Sequence, residues 1–190
     1  MNQNPHELRR ELLDWNLLYL FSFDLELDVD RQEKLGRFPS GYRLKLFSKK
    51  GHTLVYNVGR ETTVPGDGRP SISGEFAWAC DEVDLRDDDV AACNVRLSIH
   101  TDDNALIHVT YRLRGYVGVG GVDRVERGVG SDRYGTEKRP YEFTLMSSPR
   151  FHTLSARYSW LNDVQGIGFA RAQIVRSTFR RVTQDVYALQ

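Results

Sequence analysis

The chain is poor in the features that announce most function classes. It has two cysteines, Cys80 and Cys93, in 190 residues. They lack the CxxC spacing of a zinc site, and without a secretory leader they read as buried thiols rather than a disulfide. No charge of one sign dominates, since 26 Lys and Arg balance 26 Asp and Glu. A nucleic-acid partner is therefore not expected, because such binders draw affinity from a basic excess. No apolar run approaches the ~20 residues of a membrane helix, and the longest, 17–21, spans LLYLF. The opening MNQNPHELRR has no apolar signal region, so a cytoplasmic protein with no membrane partner is expected. There is no P-loop and no nucleophile elbow, and neither cysteine has a histidine close in sequence, so no metal and no cofactor are expected. Gly118, Gly120 and Gly121 echo a dinucleotide fingerprint, but no βαβ unit follows them.

What is present is a change of period. Over 4–16, Asn4 can cap, Pro5 suits the first helical position, and Leu8, Leu12 and Trp15 share one face, which predicts a short amphipathic helix. From Leu18 the apolar period becomes two, the mark of a half-buried strand. Strand-like runs recur over 42–47, 53–58, 71–79, 94–100, 105–113, 142–146, 166–174 and 185–189. Turn-forming clusters at 36–41, 49–51, 65–70 and 102–104 separate several of them. Short strands with frequent turns predict one all-β, antiparallel barrel or sandwich domain spanning 1–190. The clearest hairpin is 94–114, turning at Asp102-Asp103-Asn104. Residues 115–140 are rich in glycine and charge, and predict a long loop excursion.

Four stretches carry a family resemblance. Thr101-Asp102-Asp103-Asn104-Ala105-Leu106-Ile107-His108-Val109 resembles the turn and strand of bacterial and fungal proteins catalogued as domain of unknown function 3237. Ser148-Pro149-Arg150-Phe151, leading to Arg157-Tyr158-Ser159-Trp160-Leu161-Asn162, resembles that family's second signature. Asp185-Val186-Tyr187 resembles its ending, and Phe76-Ala77-Trp78 a further stretch whose acidic residue is absent here. The resemblance covers about residues 17 to 189 and implies a calycin-like antiparallel β-barrel with a central cavity, and no settled activity.

The candidate site residues follow from both lines. Arg157, Tyr158, Trp160 and Asn162 gather a cation, a phenol, an indole and an amide in six residues, able to orient a ligand at a barrel mouth or to serve as a structural corner. On the hairpin, His100, His108 and Arg112 share one face and Tyr111 the other. The face bearing His108 either lines a cavity or faces water. Antiparallel sheets usually keep one wet face, which would give the lumen to Tyr111. Tyr111, His108 and Arg157 are the candidates for proton transfer and charge stabilisation. Tyr158, Trp160, Asn162, Trp78 and Arg112 are those for ligand binding. The expectation is a cofactor-independent isomerase, cyclase or lyase acting on an apolar or aromatic metabolite; the alternative is a non-catalytic carrier. A homo-oligomer is compatible with either.

Overall fold

The computed structural model describes residues 17–56, 70, 72–127, 141–175 and 177–189. The helix expected over 4–16 lies outside the described residues, as do most of the 65–70 cluster and residues 128–140 of the expected loop. Ten strands are described: β1 (Leu17–Leu27), β2 (Glu33–Phe38), β3 (Gly41–Tyr56), β4 (Gly74–Arg86), β5 (Val90–Thr101), β6 (Leu106–Tyr116), β7 (Tyr141–Ser147), β8 (Arg150–Thr153), β9 (Gly166–Val175) and β10 (Thr178–Leu189). One short helix, α1 (Gly121–Arg127), follows β6, and a 3₁₀ segment covers Ala156–Asp163.

All the pairings are antiparallel, and they close. β1 pairs with both β10 and β3, so the order β1-β10-β9-β7-β6-β5-β4-β3 returns to its start. The eight positions of this ring form the barrel. Two positions are shared: β2 continues beside β3 where β1 leaves it, and β8 continues beside β6 where β7 leaves it. Closure removes the exposed edges that invite aggregation.

Alternation decides which side chains fill the interior. On β6, Ile107, Val109, Tyr111 and Leu113 are buried, while Leu106, His108, Thr110 and Arg112 are exposed. β1 contributes Phe21, Phe23, Leu25 and Leu27 to the core, and β5 contributes Cys93, Val95, Leu97 and Ile99. β9 turns small residues inward at Gly168, Ala170 and Ala172 before Ile174, leaving room for the rings of Phe21, Phe23 and Phe143, as tapered small barrels require. A Cβ at Gly168 would overlap the Gln184 amide and the Ser147 hydroxyl. We predict that Gly168→Ala destabilises the fold by about 1–3 kcal/mol through overpacking, read as a lowered thermal midpoint.

Three local expectations differ from the structure. The 49–51 cluster is not a turn, because β3 runs through it and shifts register against β4 between Phe47 and Leu54. Ser48 Oγ accepts the Ala79 N–H at 3.0 Å, satisfying a donor the irregularity leaves over. The 36–41 cluster does hold a turn, at Pro39-Ser40, but its first half is strand β2, with Gly36 at φ 98° where the register shifts. Its side chains are mostly exposed, so no apolar alternation marks it. The 115–140 excursion opens with the end of β6 and then α1, whose Val122 and Val125 are buried. Arg37 ties α1 to the β4–β5 turn, bonding Glu126 at 2.6 Å and Asp87 at 2.6 Å.

Candidate functional site

Among the described residues, the barrel interior carries one carboxyl group that its surroundings do not answer. β4 turns Ala79, Asp81, Val83 and Leu85 inward, so a carboxylate stands in an apolar column. In the ladder Leu46 lies opposite Asp81, Asp81 opposite Val95, and Val95 opposite Tyr111. The row crosses four strands, with Asp81 and Tyr111 two strands apart, roughly 10 Å at the backbone. Both line one interior cavity of about 20 Å³, together with Cys80, Val95 and Leu113. That is room for about one water molecule.

Asp81 as a whole is half-buried, but its Oδ1 is sealed from solvent and has no hydrogen-bond partner among the described residues. Burial, and then the negative charge of Glu82, push its pKa up to about 7. Burial also holds the Tyr111 phenol and the Cys93 thiol well above their ordinary values, and the Asp81 charge adds to both. Cys80 is raised by the same two causes. The interior therefore keeps Tyr111 and both thiols neutral, while Asp81 exchanges a proton near neutrality. Neither thiol is set up as a nucleophile, since the thiolate is the reactive form.

A second polar spot lies on the opposite wall. Gln184, 2 % exposed, donates from Nε2 to Ser147 Oγ at 2.8 Å, and its Oε1 has no partner among the described residues. The wall beside Tyr111 has a seam. β6 pairs with β7 at Leu113 and Arg114 and with β8 from Ile107 to Thr110, so Tyr111 and Arg112 have no ladder partner on that side. Ser148-Pro149 bridges the gap, and proline brings no N–H to close it.

The residues expected from sequence fall in three places. Tyr111 enters the interior. His108, Arg112 and Trp78 point outward from β6 and β4, and all three are exposed. His108 Nδ1 shares a hydrogen bond of 2.7 Å with Ser98 Oγ and faces His152 across the β6–β8 ladder. Arg157, Tyr158, Trp160 and Asn162 sit on the 3₁₀ segment. There Tyr158 is buried and donates its hydroxyl to Asp103 Oδ1 at 3.0 Å, and Arg157 pairs with Asp103 Oδ2 at 3.3 Å. Asp103 is held below the ordinary carboxylate range by the Thr101 hydroxyl and then by Tyr158. Trp160 packs on the core. Asn162 accepts the Thr153 N–H at 2.8 Å and donates to the Thr153 carbonyl at 3.0 Å. Asn162→Ala would strand both backbone groups and is expected to cost about 2–3 kcal/mol, measured by urea unfolding.

Sequence reasoning missed Asp81. The signal was an acidic residue in phase with Ala79, Val83 and Leu85, inside a stretch whose other charges hide its strand character. Among the described residues no group of three or more His, Cys, Asp and Glu has the geometry to hold a metal ion, and no helix is long and apolar enough to cross a membrane.

Comparison with known proteins agrees with this architecture. A family model described as protein of unknown function (DUF3237) matches residues 19–189. A conserved protein of unknown function from Rhodopseudomonas palustris superposes with a TM-score of 0.67 at 20 % identity, covering 93 % of this chain and 98 % of that one. A β-barrel-like protein from Acinetobacter baumannii gives 0.62 at 20 % identity, covering 100 % and 99 %. An enzyme from Penicillium herquei gives 0.55 at 14 % identity, covering 93 % and 95 %. No curated protein matches.

Proposed function

The chain belongs to the family of proteins of unknown function DUF3237, and we propose from its own interior that it is a cofactor-independent proton-transfer enzyme. The reaction class is isomerisation, cyclisation or lyase-type elimination on an apolar or aromatic metabolite. The observation that carries this reading is Asp81, a carboxyl whose Oδ1 is buried and unpartnered, with its pKa moved to about 7. Leaving a buried polar group unanswered costs stability, and such departures from good packing concentrate at functional sites. A general base works best when its pKa lies near the working pH.

In the ionised form Asp81 takes a proton from a C–H or O–H of the substrate. In the protonated form it returns a proton at another position, so an isomerisation or cyclisation leaves the protein unchanged. The Tyr111 phenol, kept neutral by burial, is the donor available to an oxygen that gains negative charge. The apolar lining of Val95, Leu113 and Leu46 favours an apolar substrate. The cavity of about 20 Å³ is smaller than any such molecule. Substrate entry therefore requires the wall to open, and the unpaired stretch of β6 beside Tyr111 is the place for it. That an enzyme shares the fold lends support at the level of architecture alone.

The test uses 5-nitrobenzisoxazole, a flat aromatic probe that opens when a base removes its ring proton. The wild-type protein should accelerate its opening, and Asp81→Asn should lose the acceleration. An equal rate in both would refute the assignment.

A further inference from the structure

We propose a second, separate site on the outer wall: a groove in which Arg96, Arg112 and Arg150 bind a small dianion, a phosphomonoester or a dicarboxylate. This goes beyond the lumenal reading and does not depend on it.

The register assembles the site. Arg96 on β5 lies opposite Thr110 on β6, and Thr110 lies opposite Arg150 on β8. Arg112 is two residues along β6, on the same exposed face. By sheet spacing the Arg96 and Arg150 backbones stand roughly 10 Å apart, with Arg112 about 7 Å from Thr110. Long guanidinium side chains converge easily across such spans. The seam makes the surface concave, because β8 starts afresh at Arg150 after Ser148-Pro149 and the wall there has no ladder. The resulting groove has a volume of about 590 Å³, within the range of small-molecule sites.

The charge is what singles it out. Elsewhere on the surface Arg37, Arg43, Arg86, Arg157 and Arg181 each meet a carboxylate; Arg180 and Arg171 do not, but each lines a groove that also holds acidic side chains, Asp24 and Glu26 for the one and Asp185 for the other. The side chains of Arg96, Arg112 and Arg150 make no ion pair or hydrogen bond among the described residues, although the chain as a whole is neutral. Among the described residues lining the groove Glu82 is the one acidic residue, so among them two positive charges stand unanswered. Guanidinium forks match the paired oxygens of phosphate and carboxylate, and the Thr110 hydroxyl and Asn94 amide add neutral donors. A monoanion would leave one charge uncompensated, whereas a dianion balances the groove.

The experiment is isothermal titration of the full chain with phenyl phosphate and, separately, with succinate at low ionic strength. Saturable one-to-one binding of either supports the site, and the better ligand identifies the source of the dianion. Arg112→Gln and Arg150→Gln should each weaken binding about tenfold or more, the usual effect of losing a charge-assisted hydrogen bond. Glu82→Gln should tighten it by removing repulsion. All three side chains lie on the outer wall, and a thermal melt confirms that the variants fold. Binding of neither probe, or affinities in the arginine variants within twofold of wild type, would overturn the proposal. Turnover of 5-nitrobenzisoxazole is read independently, so failure here leaves the lumenal assignment standing, and the reverse.

Discussion

Asp81→Asn removes from the folding stability of this chain a pH dependence of about 4 kcal/mol at most, spread between about pH 4 and about pH 7. The carboxyl ionises near 3.8 when exposed and near 7 in the folded barrel. Between those values the unfolded chain has released its proton and the folded chain has kept it. The folded state therefore binds more protons, and its stability falls as pH rises. The contribution is fully present below about pH 4, is lost through about pH 7, and is level above that. Asparagine has nearly the same shape and does not titrate, so the variant lacks this slope. At pH 8 and above, where the wild type must bury a charge without a partner, the variant should be the more stable of the two. Urea unfolding of both proteins from about pH 4 to 9, compared pH by pH, isolates Asp81 from every other carboxylate. Parallel stability curves would show that Asp81 is not the buried acid described here.

The second large effect is on turnover. General base catalysis by a positioned side chain contributes roughly 10²–10⁴-fold, and the Asp81→Asn variant should lose a factor in that range against 5-nitrobenzisoxazole. The wild-type rate should rise with pH as Asp81 ionises and level off above its pKa of about 7. A carboxylate with an ordinary pKa would already be at its plateau at pH 6. Tyr111→Phe keeps the ring and removes the hydroxyl. It should lower kcat with a smaller change in KM, because the phenol acts on charge that develops during reaction. A rise in KM alone would instead make Tyr111 a binding residue.

The barrel was legible because its instructions are local. Alternation at Leu18 to Leu27, the Asp102-Asp103-Asn104 turn and the two faces of β6 all follow from a period of two, and closure adds no contradictory demand. β2 was not legible, because a strand exposed on both sides carries no apolar alternation. The second half of β4 was hidden for a related reason. Asp81, Glu82 and Asp84 make Cys80–Arg86 read as a charged connection, when Asp81 in fact occupies an inward position between Ala79 and Val83. The residue that broke the pattern is the one that now carries the functional reading.

The candidate site was legible only in part. Placing Tyr111 rather than His108 toward the lumen needs alternation and the tendency of antiparallel sheets to keep one wet face, and the structure has that arrangement. The Arg157 to Asn162 cluster drew attention because four chemically rich side chains are adjacent in sequence. Their neighbours in space define a corner instead: Asn162 clamps Thr153, and Tyr158 and Arg157 hold Asp103. Density of functional groups along the chain says little when a 3₁₀ segment fans them apart. Asp81 and Tyr111 are 30 residues apart in sequence and become neighbours only through the β4–β5–β6 register. The arginine groove likewise needs β8, which reaches the wall only after the Ser148-Pro149 bridge.

The most direct measurement is the titration of Asp81 itself. In protein labelled with ¹³C at the aspartate carboxyl carbons, the spectrum of Asp81→Asn identifies the Asp81 resonance by its absence. A midpoint near 7 for that resonance is the predicted result. A midpoint below about 5, where an exposed carboxyl titrates, would contradict the account.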